Sequence, residues 1–302
     1  MGEDINDDNF ITLLGEPYNS DDINENSSVE QVEIASYELY KETTMITAVV
    51  VNIFKGSSSE HPGFTRDQAI NTGLLVRISK LMETVLQLSA KGNRGDVLAI
   101  INRCILESVF NLQFLIIKDD PKYYDKFVEF SLGPERELYD LIKANISARG
   151  GTELPIEKRM LGSIERVARL SGVEMINIKS SNPDWGGTLR DKLKALGREE
   201  YYLHIQRIPS HMIHGSWVDL LLHHLEEKEG LLAPKSTWTN NDARDLNPIA
   251  IEILKSIKLY IQTYFPNIGN MKLLIQRVNE LIAKIERVDD LHELVFNKKS
   301  KI

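Results

Sequence analysis

The chain of 302 residues has a single cysteine, Cys104. That excludes an intramolecular disulfide and a cysteine-based zinc site, and it suits a reducing compartment. Its N-terminal region lacks the basic and apolar segments of a secretory signal. The longest largely apolar run in this reading, Met45 to Phe54, is half of the roughly 20 residues needed to span a bilayer. The expected location is therefore cytoplasmic, with no membrane partner. Several motifs are also missing. No GxxxxGK[ST], no GxGxxG after a strand, no GxSxG and no HExxH occurs. P-loop, dinucleotide-binding, α/β-hydrolase and zincin chemistry have no support, and no cofactor is expected.

Positive charge is absent from residues 1–40, which hold eleven Asp and Glu and no Lys or Arg. Setting these aside from the net charge of −8 leaves the remainder at +3. The body is near balance, so the global acidity says little about partners. Residues 1–28, rich in Asp, Asn, Glu and Ser, read as a disordered acidic tail, either a solvated leader or an arm that covers a basic site.

With 42% hydrophobic residues the rest can build a substantial core. Its periodicity is helical almost throughout. One long helix is expected over residues 29–55. Thr65, with Gln68 three residues on, predicts a capping box opening a helix to about Lys91. A mostly apolar helix over 96–118 suits the centre of a bundle. Pro121, Pro134 and Pro155 each stand where a helix begins, with glycines near the ends. A short helix over 188–196, a histidine-rich helical region over 199–228, a polar loop over 230–247 and a helix from Pro248 to about Phe265 follow. A last helix over 271–296 has apolar residues at 274, 278, 281, 285 and 288, a 4-3 spacing that can pack within the chain or against another subunit. No strand pattern with hairpin signals is found, so a sheet is not expected. The domains read as the 1–28 tail, a helical bundle over 29–268 and a C-terminal helix with basic tail over 269–302.

Five of the seven histidines fall between residues 204 and 224. At 100° per residue, His204, Arg207, His211 and His214 share an arc of roughly 80° on one helical face. Pro209 removes a backbone donor inside that arc and decides whether it holds. Three readings stand. The face is a partly buried polar network. Or it does acid–base chemistry, since histidine titrates near neutrality and an adjacent arginine stabilises a phosphorane-like oxyanion. Or His211 and His214 ligate a metal together with Glu107 or Asp219. On the central helix, Arg103, Glu107 and Asn111 share a face, as a core salt bridge or as groups that orient the histidines. Cys104, about 100° from Arg103, reads as an inert buried thiol. Trp185, in a Gly-rich turn, reads as a packing anchor, with base stacking as the alternative.

The segments NRCILESVFNL, PDWGGTLRDKLKALG and IPSHMIHGS together resemble a bacterial all-helical family that carries a domain of unknown function and is similar to the HEPN superfamily (higher eukaryote and prokaryote nucleotide-binding). The resemblance covers about residues 65–265. It rests on Arg103-x-x-x-Glu107 and on Ser210-x-x-x-His214 followed by Gly215. HEPN proteins cut RNA without metal, through an arginine followed after four to six residues by a histidine, often completed across a homodimer. Here six residues separate Arg207 from His214. The resemblance implies an all-α, irregular helical bundle with a HEPN-like core and long N- and C-terminal helices. It also implies a metal-independent endoribonuclease of toxin or defence type, acting on RNA as a homodimer. Arg207 and His214 would be catalytic, His211 and Ser210 would assist, and Arg103, Glu107 and Asn111 would support. The alternative is a non-enzymatic binding or scaffold protein in which these residues form a buried polar network.

Overall fold

The computed structural model describes residues 14–52, 63–90, 95–179, 185–238, 243–266 and 269–299. The fold is an all-α helical bundle, and five long helices form its body: α1 (Val29–Val51), α2 (Arg66–Ser89), α3 (Gly95–Lys118), α10 (Ala243–Tyr264) and α11 (Gly269–Lys299). Shorter helices lie between them: α4 (Pro121–Ser131), α5 (Gly133–Ala148), α6 (Pro155–Leu170), α7 (Leu189–Ala195), α8 (Ser210–His214) and α9 (Trp217–Asp219).

Local chemistry sets many of the helix ends. Thr65 and Gln68 form the expected reciprocal box, each side chain serving the other's backbone N–H. Asp120 caps α4 from just before Pro121. Glu157, in the first turn of α6, accepts from the Leu154 backbone N–H and pairs with Arg149. These contacts hold its carboxyl below the usual carboxylate range.

Helix α10 sits at the centre, packed on α1, α3 and α11, while α2 closes the other side against α1 and α3. The core they share includes Leu39, Ile46, Met82, Ile105, Ile253 and Leu281, each fully buried or nearly so. The α11 stripe of Leu274, Val278, Leu281, Ile285 and Val288 is buried in this same core. By length and composition Val97–Lys118 could cross a membrane, so the sequence reading of Met45–Phe54 as the longest apolar run was too narrow. In the fold, this helix packs on α2 and α10. A second, smaller core joins α4, α5 and α6 through Val128, Ile142, Leu161 and Ile164.

Two expectations are corrected. The disordered tail expected over 1–28 is not found over residues 14–28, which are described; residues 1–13 lie outside the described residues. From Leu14 the chain lies as a strap against α1 and α11. Lys284 Nζ donates to the Tyr18 carbonyl at 2.8 Å, Arg287 donates to the Ile23 carbonyl at 3.0 Å, and Glu42 accepts from the Tyr18 N–H at 2.9 Å. Second, the helix expected to run to residue 228 ends at His224. It is followed by an antiparallel hairpin of β1 (Leu225–Lys228) and β2 (Leu231–Pro234). Glu229 and Gly230 both adopt positive φ, +56° and +79°, the geometry of a two-residue type I′ turn.

Candidate functional site

The histidine-rich segment is wound unevenly. Residues Leu203–Arg207 form a π-helical turn, with the Ile208 N–H reaching back five residues to the Leu203 carbonyl at 3.0 Å. A wider turn of this kind is frequent at functional sites and shifts side-chain register relative to an α-helix. Pro209 has no N–H to continue the ladder, but Ile208 and Pro209 both keep right-handed helical dihedrals. The helical sense therefore survives the proline. Gly215 then turns left-handed at φ +56°, and its N–H and that of Ser216 both return to the His211 carbonyl, ending α8. A second π turn spans Leu220–His224.

This winding divides the predicted face. His204 turns towards a cleft, whereas Arg207, His211 and His214 do not line it. Arg207 and His214 are exposed and, among the described residues, neither has a hydrogen-bond or ion-pair partner. His211 is half-buried, its Nδ1 2.7 Å from Ser216 Oγ. Ser210 Oγ donates to the Gln206 carbonyl and accepts from Arg103 Nη1 at 3.1 Å, so Arg103 and Ser210 are brought together across 107 residues of sequence.

The predicted Arg103–Glu107 ion pair does not form. Glu107 is exposed, and Arg103 turns to Ser210 instead. A buried Arg/His/Glu network around Arg207 and His214 is likewise not formed, because both side chains are at the surface. Asn111 belongs to another place: its Oδ1 accepts from Lys192 Nζ at 3.2 Å. That ammonium, on a residue only 6% exposed, lies 3.3 Å from the centre of the Trp185 ring. Trp185 is 4% exposed and edge-on to Phe114 and Phe127, which makes it a packing anchor with no face open to a base. Phe114 packs so closely over Gly186 that a Cβ there would stand 2.6 Å from its ring. Cys104 is half-buried. Among the described residues no three His, Cys, Asp or Glu side chains converge in a metal-holding group, so the set His211, His214 and Glu107 is not assembled.

The cleft, of about 650 Å³, was not foreseen. Its floor is α3, with Asn102, Leu106 and the fully buried Phe110. One wall is the π-wound segment, with Tyr201, His204, Ile205, Ile208 and Met212. The opposite wall comes from α10 and α11, with Ile249, Glu252, Lys255, Glu286 and Asp289. Glu252 is ion-paired to Arg198 and, at 2.9 Å, to Lys255. Asn102 is 5% exposed, and its Oδ1 has no hydrogen-bond partner. Sequence reasoning had no means of finding this cleft, since its walls lie up to about 190 residues apart and no local pattern marks them.

The stretch of chain that carries Arg207 and His214 leaves large apolar side chains exposed. Trp217 is 59% exposed, Leu222 60% and Leu231 75%, with Leu203, Ile208 and Ile213 also exposed. Exposed apolar side chains of this kind are candidates for an interaction surface.

An all-α bundle with a half-apolar cleft and a separate arginine–histidine surface is thus the class that the fold and site define. Residues 68–231, more than half of the chain, match the family of unknown function DUF5677, and the chain belongs to that family. The matched region runs from the first turn of α2 to the start of β2, so it includes the whole histidine-rich segment but not α1, α10 or α11. Neither the curated proteins nor the solved structures contain a match.

Proposed function

We propose that the protein is a HEPN-like, metal-independent endoribonuclease of toxin or defence type, whose site is completed across a homodimer. One observation carries this reading: Arg207 and His214 stand exposed on a segment whose surface also exposes Trp217 and Leu222. A symmetric dimer formed through that surface would bury its apolar side chains and bring two Arg207–His214 sets towards one another. In the reaction, an imidazole of His214 takes the proton of an RNA 2′-hydroxyl as its oxygen attacks phosphorus. The P–O5′ bond breaks, the leaving 5′-oxygen takes a proton from water, and a 2′,3′-cyclic phosphate and a 5′-hydroxyl result. Arg207 neutralises the charge that builds on the phosphoryl oxygens. His211, oriented through Ser216, and Ser210, held by Arg103, position the helical segment that carries both groups. A bacterial origin, implied by the resemblance, and a cytoplasmic location, expected from the sequence, fit this reading.

The test is cleavage of a labelled RNA in the presence of EDTA. His214→Ala and Arg207→Ala should each abolish cleavage and leave the melting temperature within about 2 °C, since exposed substitutions change stability little. Undiminished cleavage by the His214→Ala protein, or a wild type that cuts no RNA and is toxic to no cell, overturns the proposal. A second reading, a non-enzymatic binding module, is favoured by one feature: the cleft excludes Arg207, His211 and His214 from its lining.

A further inference from the structure

The cleft between α3, the π-wound segment and α10–α11 has a chemistry of its own, independent of RNA cleavage. Its volume, about 650 Å³, is that of a small-molecule site. Its floor and near wall are apolar, through Leu106, Phe110, Ile205 and Met212. Its far wall is acidic. Glu286 is exposed, and Asp289 is half-buried and accepts from Asn247 Nδ2 at 3.0 Å; Asp245 also lines the cleft. The charged lining residues are four carboxylates, Asp245, Glu252, Glu286 and Asp289, against two cations, Arg103 and Lys255, with Arg198 reaching Glu252 from outside the lining. The charge balance of the lining is therefore negative, which disfavours phosphates and carboxylates. In the floor, Asn102 Oδ1 is buried and accepts no hydrogen bond. An acceptor left unpaired in a core helix is a standing cost unless something supplies a donor.

The geometry points to a binding site for a small organic cation, an amine or amidine with an apolar body. The body lies on Phe110 and Leu106, and the cationic N–H group donates to Asn102 Oδ1 within the field of the Glu286 and Asp289 carboxylates.

Isothermal titration calorimetry of the full chain with 2-phenylethylammonium chloride tests the site, with 3-phenylpropionate and adenosine monophosphate as anionic comparisons. Saturable binding of the ammonium with a stoichiometry of one, and none by the two anions, is expected. Asn102→Leu should weaken that binding at least about tenfold, the loss of one charge-assisted hydrogen bond. Glu286→Gln should weaken it less, by about threefold. Ala99→Phe, which fills the cleft from α3, should abolish it and serves as the second probe if Asn102→Leu fails to fold. Absence of saturable ammonium binding, preference for either anion, or binding that survives Ala99→Phe overturns the site. Because the readout is binding alone, failure of RNA cleavage leaves this inference standing, and failure here leaves that reading standing.

Discussion

The five-helix body and the segment from Glu199 to Trp238 are built on opposite terms. In the body, α1, α2, α3, α10 and α11 cover one another, and residues such as Ile253, Ile257 and Leu274 expose nothing. In the segment, no regular element exceeds five residues, two π turns replace regular helix, and Trp217, Leu222 and Leu231 stay in water. Regular helices present repeating apolar stripes that can be covered within one chain. A segment wound in short, shifted turns scatters its apolar side chains over several directions, and some are left outside. Stability resides in the first region and the exposed chemistry in the second.

Four measurements can break or sharpen this contrast. The largest effect is expected in the body: Ile253→Ala should cost about 2–5 kcal/mol in chemical denaturation, since the cavity opens in a sealed core. A cost below about 1 kcal/mol would mean that the central helix is less tightly packed than its burial indicates. At the join between the regions, Arg103→Ala should cost about 1 kcal/mol, because Ser210 loses a charged donor but keeps its bond to Gln206. In the segment, Trp217→Ser should leave stability within about 0.5 kcal/mol. On the dimeric reading it should also convert the protein to a monomer by light scattering, whereas a wild type that is already monomeric would remove the composite site. The smallest effect concerns pH. The carboxyl of Glu157 is held low by the Leu154 N–H and Arg149, and that of Asp191 by the Thr188 hydroxyl and N–H. Both folded-state values lie below the unfolded ones. Their contribution is therefore complete above the ordinary carboxylate range and disappears as pH falls through the folded values. Glu157→Gln should flatten the acid limb of a stability–pH curve slightly; an unchanged limb would show that this cap is not felt.

The same contrast decides what could be read in advance. Helix starts at Thr65 and Pro121 and the α11 stripe were legible because each depends on residues three or four apart. The Arg103–Glu107 pairing failed because spacing on a helix does not say which neighbour competes: Ser210, 107 residues away, took the guanidinium. The shared arc of His204 and Arg207 failed because the Ile208 N–H bonds to Leu203 rather than four residues back. The hairpin escaped notice because Glu-Gly is a weaker turn signal than Asn-Gly. Within the predicted site, the exposure of Arg207 and His214 could not be known until the packing of their neighbours was.

The strap of residues 14–28 bears on how the chain comes together. Tyr18 meets Lys284 across 266 residues, and α1 packs on α10 and α11, which are made last. Helix α1 can meet α2 early, but its faces against α10 and α11 stay uncovered until those helices have been made. Long-range closure of this kind is slow and leaves apolar surface open to aggregation while it is pending.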